Sequence, residues 1–240
     1  MEAGSYAEAA AVFAVLDDYR DSAERLADCE AMLETGTDVG AADNIVIGDY
    51  VTFGTYEQDN QRQNGREPIE WRVLDKDGSR ILVVSKYALD CRQYHNVDRG
   101  NTAWSDSSIR KWLNRDFLQA AFTEAEQAMI PTVTIDNPDN PRHGTEGGKA
   151  TEDQIFLLSV QEAYRYFSSD WDRQCERTDY ALACGVTKYN SGCVWWWLRT
   201  PGVHENTAAG VYPNGEITLG GDYVSCGTDA VRPARWIDLG

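Results

Sequence analysis

The sequence predicts a mixed α+β domain with a short helical appendage ahead of it, and three observations carry that prediction. Residues 35–44 (TGTDVGAADN) are small and polar, a linker between a helix-periodic segment and a strand-like run that begins at Ile45. Past Ile45 the order is strands, then helices, then a long irregular region, then many short strands. Without βαβ alternation a doubly wound parallel sheet is not expected, and antiparallel strands with extensive loops are. Apolar residues make up 42% of the 240 positions, with 8 Trp and 12 Tyr, enough for a sizeable core.

In order, residues 6–34 read as two helices. Tyr6, Ala9, Ala10, Phe13 and Leu16 recur at helical spacing, Asp17-Asp18-Tyr19 breaks the pattern, and Asp21 or Ser22 caps a second helix with Leu26, Cys29 and Leu33. The 1–34 segment reads either as a plain amphipathic helical hairpin or, from Ala9 and Phe13, as a unit that resembles a tetratricopeptide-type repeat. A lone helical pair cannot bury both faces, so it is expected to dock on the main domain, 45–240, or to end a longer array in contact with a further domain. Residues 45–54 are strand-like with a Gly48-Asp49 turn, and 69–74 and 81–85 are strands joined by Asp75-Lys76-Asp77-Gly78.

The serines and Asp106 in 105–108 offer caps for a helix through Asn114, and Phe117, Leu118 and Phe122 continue its apolar face. Thr123 with Glu126 three positions on is a capping box for a short helix that Pro131 ends. A short strand at 132–135, a Gly-, Pro- and Asn-rich loop over 136–153, a buried strand at 154–159 and a helix at 160–167 follow. A loop with scattered aromatics then leads to Tyr180.

Lys and Arg total 22 against 39 Asp and Glu, a formal net charge of -17. Such a charge repels phosphate backbones and anionic lipid, so neither nucleic acid nor membrane insertion is expected. No apolar run reaches 18 residues, and MEAGSYAEAA lacks the basic start and apolar core of a signal peptide. A cytoplasmic location is the expectation. The six cysteines (29, 91, 175, 184, 193 and 226) include no Cys-x-x-Cys pair and read as free thiols.

Catalytic signatures are sparse. His95, His143 and His204 lie in polar loops, with no convincing nucleophile beside them in sequence, and no phosphate-binding glycine motif opens a helix. Asp136-Asn137-Pro138-Asp139-Asn140 gathers oxygens of the kind calcium takes, but the preferred reading is a turn-rich loop. No metal, cofactor or catalytic residue is therefore assigned.

The stretch 195–239 has stiff ends and a polar centre. In a strand, Trp195 and Trp197 share one face and Trp196 the other, all packing in the core. Arg199 and Arg232 are expected to pair with buried carboxylates or cap loop carbonyls. Pro213-Asn214-Gly215 is a hairpin turn, 219–222 a second turn and 223–225 the next strand. Val211, Ile217 and Val224 should point inward, and Tyr212, Glu216, Thr218, Tyr223 and Ser225 outward. The loop with Val203, His204, Glu205, Asn206 and Thr207, together with Asn214, Asp222, Thr228 and Asp229, completes a candidate ligand surface. Its Tyr, Ser, Asn, Gly and Thr content suits an adaptable binding face. Tyr212 and Tyr223 would be its hot spots, with His204, Glu205 and Asp222 setting charge.

The motifs GDYVTFGTY, PIEWRVLD, SSIRKWLN, FLLSVQEA, WWWLRTPG and AVRPARWIDL, in this order across 45–239, resemble a widespread bacterial domain family of unassigned function. That family is similar to C-type-lectin-like domains, the fold of formylglycine-generating enzymes. The resemblance implies a small antiparallel sheet, flanking helices and a long loop-rich excursion. It is also similar to the variable proteins of diversity-generating retroelements, which implies a diversified C-terminal surface that binds a protein ligand without catalysis. Two other functions follow from the same features: an interaction or sensor module of a larger bacterial signalling protein, and a formylglycine-generating-like catalyst. The residues around Cys184, Cys193 and Cys226 do not reproduce the motif of those enzymes, and no calcium-lectin motif flanks Trp195.

Overall fold

The computed structural model describes residues 45–97 and 102–240. The helical pair expected at 1–34 and the linker at 35–44 lie outside the described residues. Within them the fold is mixed α+β, mostly sheet with a few short helices, as the element order implies.

Ile69, Trp71 and Val73 alternate inward on β2 (Glu67–Asp77), the period-two pattern of a strand with one buried face. Beside it, β3 (Arg80–Ser85) is buried at every position after Arg80. With β1 (Tyr50–Tyr56) and β11 (Ala234–Asp238) these make a four-stranded antiparallel sheet, ordered β1-β2-β3-β11. The β2–β3 turn is tighter than expected. The strands run on to Asp77 and Arg80, so only Gly78 and Ser79 turn, and a bulge at Leu74 lets Val73 and Leu74 both face the core. Residues 45–49 are not part of β1: the Asp49 carboxylate accepts from the Val46 N–H at 2.9 Å, and a turn forms that leaves Val46 and Ile47 exposed.

The second sheet holds β4 (Asp90–Cys91), β10 (Ala230–Val231), β7 (Trp196–Pro201), β8 (Thr207–Val211) and β9 (Ile217–Tyr223), in that order. Its pairs are antiparallel except β10 with β7. The tryptophan alternation holds. Trp195 and Trp197 meet edge to face with ring centroids 4.6 Å apart, while Trp196 packs on Phe167 from the other side. Strand β9 departs from expectation: 219–222 is not a turn, and the strand runs straight through it. Gly221, at φ +73°, forms a bulge opposite Ala208, where a Cβ would overlap the Ala208 carbonyl. The chain turns at 223–226 instead, with the Cys226 N–H donating to the Tyr223 carbonyl at 2.8 Å.

After β4 come helices α1 (Ser108–Trp112) and α2 (Leu118–Ala121), joined by a wide π-type turn (Leu113–Phe117), and α3 (Glu124–Ala128). Ser107 caps the first, and the Thr123–Glu126 capping box forms as its spacing predicts. The Asn114 side chain fastens this layer to the chain at 154–155, accepting from both backbone N–H groups and donating to the Ile155 carbonyl. Three residues inside the expected 136–153 loop form β6 (Thr151–Asp153), paired with β5 (Val133–Ile135); a strand that short shows no period. The expected strand at 154–159 is buried, but only Phe156 pairs, with Ala234. Helix α4 (Val160–Tyr166) starts from a Ser159–Glu162 capping box. Two short helices follow, α5 (Asp170–Arg173) within the region read as loop and α6 (Asp179–Cys184) at its end, each begun by a Ser or Thr cap.

Several buried polar side chains inside this fold are paired. Asp153 accepts from Trp104 Nε1, Thr151 Oγ1 and Arg110 Nε at 2.6–2.9 Å. Arg199 pairs with Glu162 and donates to the Leu157 and Asp136 carbonyls, and Arg232 donates to the Ser85 and Arg173 carbonyls. Both arginines thus hold the frame, as expected of them. No helix among the described residues is long and apolar enough to cross a membrane.

Candidate functional site

The β8–β9 hairpin places the candidate side chains at its two ends. At one end the 203–207 loop and the 222–229 segment lie side by side, with the Val224 N–H on the Asn206 carbonyl at 3.0 Å and Val203 N–H on Gly220 at 2.9 Å. At the other, the Pro213-Asn214-Gly215 turn forms as expected and seats on α5. Arg173 Nε donates to the Gly215 carbonyl at 3.0 Å, and Gln174 Nε2 to that of Asn214 at 3.2 Å. Asn140 ties the irregular 136–150 loop under the sheet edge by donating to the Pro201 and Leu219 carbonyls, 2.8 Å each. The Asp136–Asn140 run thus pins backbone, in keeping with the turn-rich reading.

Val211, Ile217 and Val224 are buried, as the inward set should be. His204, Glu205, Tyr212, Asn214, Glu216, Tyr223 and Thr228 are exposed, and Val203, Asn206, Thr218, Asp222 and Ser225 half-buried. Thr207 and Asp229 are corrections: both are buried. The Thr207 hydroxyl folds back on its own turn, donating to the His204 carbonyl and accepting from its N–H, 2.9 Å each. Asp229 leads directly into the buried strand β10 and is carried inward with it. Its burial, then the charge of Asp222, push its carboxyl up to about 7, while a hydrogen bond from Cys226 opposes the shift.

Sequence reasoning missed two exposed aromatics beside this surface. Trp171, on α5 next to the 213–215 turn, is 80% exposed, and Tyr189 is 39% exposed. Burial raises the Tyr189 hydroxyl, followed by the charges of Asp229, Asp222 and Tyr212. The only signal in the sequence was aromatics scattered among polar residues. A depression of about 420 Å³ between 143–146 and 203–205 adds His143 and Glu146 to the first end.

One histidine and the cysteines bear on catalysis. The Ser108 hydroxyl lies 3.2 Å from His95 Nδ1 but donates to Asn96 Oδ1 at 2.8 Å. Burial lowers the His95 pKa, Lys111 adds to this and Asp106 opposes it. The five described cysteines are free. Burial raises every one of their thiols, Cys91 to about 12 and Cys175 to about 11, the opposite of what a nucleophilic thiol needs.

The fold and this surface define a mixed α+β domain whose closing hairpin carries solvent-facing side chains on a pinned backbone. Residues 78–239, more than half of the chain, match the family model described as Domain of unknown function (DUF6273), and the chain belongs to that family. A search of the curated proteins and of the solved structures found no match.

Proposed function

We propose that the protein is a non-catalytic recognition module: a C-type-lectin-like scaffold of the cytoplasm whose 203–229 surface binds a protein ligand, in the manner of the variable proteins of diversity-generating retroelements. One observation carries the reading. Twelve of the fourteen candidate side chains, all but Thr207 and Asp229, reach solvent. Meanwhile, the backbone that bears them is held by main-chain hydrogen bonds at both ends of the hairpin. Side chains on such a frame change identity without changing the frame, which is what a diversified surface requires. The exposed Tyr212, Tyr223, Tyr189 and Trp171 supply the large, stiff contact groups of a protein-binding face. The raised thiols count against the formylglycine-generating alternative.

The DNA around the gene tests the reading. A reverse-transcriptase gene with a near-copy of the 3′ coding segment, and sibling genes differing chiefly at adenine-rich codons within 203–229, are the expected result. Sibling differences spread evenly over the domain would overturn diversification.

A further inference from the structure

The turn that follows β9 brings together three groups with the chemistry of a metal ligand set. A carboxylate oxygen each from Asp222 and Asp229 and the Cys226 sulfur all lie within 4.8 Å of one another. They spring from a fixed loop. Gln93 Nε2 donates to the Ser225 carbonyl at 2.7 Å, Thr187 N–H to Thr228 at 3.0 Å, and Arg92 N–H to Asp229 at 3.2 Å. The Cys91 thiol holds the Gly227 carbonyl at 3.1 Å, and the Tyr223 N–H holds Asp222 Oδ1 at 2.7 Å.

The second observation is independent of the clustering. Asp229 is 5% exposed, and its Oδ2 is buried with no hydrogen-bond partner. Leaving a buried acceptor unpaired costs about 1–3 kcal/mol, more when it is charged. Asp153, buried as deeply, shows the ordinary solution, with an arginine, an indole N–H and a hydroxyl around it. Asp229 Oδ2 has no such partner. The other carboxylate cluster, Glu57, Asp59 and Glu67, differs on this point, since each member already accepts backbone N–H groups of its own loop.

We propose that Asp222, Cys226 and Asp229 bind one divalent ion of the zinc class, with a fourth position open to solvent. The donor set selects the ion. Calcium takes six to eight oxygen ligands and magnesium a near-ideal octahedron of oxygens, which a thiolate and two carboxylates do not provide. Thiolate with carboxylate suits a borderline ion such as zinc or cobalt. Zinc bonds of about 2.0–2.3 Å put neighbouring donors about 3.5 Å apart in a tetrahedron, so the cluster need close only by about 1 Å. Asp222 and Cys226, half-buried at the solvent side, have the room to do this. The bound ion would staple the 223–226 turn to the start of β10 and set a Lewis acid at the edge of the candidate surface.

Metal alone tests this, without reference to any protein ligand. Full-length protein, reduced and stripped with a chelator, is titrated with zinc by calorimetry and with cobalt by absorption. One ion per chain and a thiolate-to-cobalt charge-transfer band are expected. Cys226→Ser should abolish the band, Asp229→Asn should weaken zinc binding by about tenfold or more, and Cys193→Ser should change neither. In the unmutated protein, zinc should protect Cys226 from alkylation, mapped by mass spectrometry, so the answer stands even if a variant fails to fold. Cobalt binding without the band, zinc binding unchanged in Cys226→Ser, or Cys226 alkylated equally with and without zinc would overturn the proposal.

Discussion

Arg235 is the residue at which burial and charge conflict most sharply. It is fully buried, its guanidinium carbon lying 4.0–4.3 Å from the ring centroids of Phe53, Trp71 and Phe122. Nε and Nη1 have no hydrogen-bond partner, and Nη2 makes one long contact of 3.4 Å to the Phe53 carbonyl. Burial drives its pKa well below the ordinary arginine value, with Glu126 opposing. Aromatic faces attract the cation but do not replace its lost water. The side chain therefore contributes chiefly as volume between three rings. Arg235→Met should leave stability within about 1.5 kcal/mol of the parent or raise it, whereas Arg235→Ala should cost about 3 kcal/mol through the cavity it leaves. Urea unfolding of the two variants measures this. An equal, large loss in both would show that the charge itself is required.

At the scale of elements, the β7–β8 pair is the stiff frame behind the candidate surface, and its closeness depends on Gly210. A Cβ there would overlap the Trp195 indole, which stands edge-on to Trp197 across the same face. Gly210→Ala must push that ring or the strand aside, and should cost about 2–3 kcal/mol. Tyr212→Ala, two residues along but exposed, should cost within about 0.5 kcal/mol. Thermal unfolding of both variants would separate frame from display. Comparable losses at the two positions would mean that the hairpin tip is structural.

For the molecule as a whole, the thiols report on chemistry. Native protein treated with a thiol reagent near neutral pH should label Cys91, Cys175, Cys193 and Cys226 slowly. Cys184, the exposed one, should react fastest, yet more slowly than in denaturant, because each thiol is held above its ordinary pKa. A single cysteine labelling faster folded than unfolded would point to an activated nucleophile and a catalytic role. Peptide mapping after timed quenching reads all five.

What the sequence determined by itself was set by near neighbours. The Thr123–Glu126 cap, the 213–215 turn and the Trp195/Trp196/Trp197 alternation depend on a few adjacent residues and formed, whereas the equally local 219–222 turn gave way to the pairing of β9 with β8. Single-turn helices and three-residue strands, such as α5 and β6, were illegible because they are shorter than the period that would reveal them. The tertiary structure alone decided which polar groups are buried and what meets them. Arg235 faces rings from residues 53, 71 and 122, and Asp229 is carried inward by a strand paired across two neighbours, β4 and β7. Both outcomes follow from contacts between distant parts of the chain, since the cost of burying a charge depends on its surroundings and not on its place in the sequence.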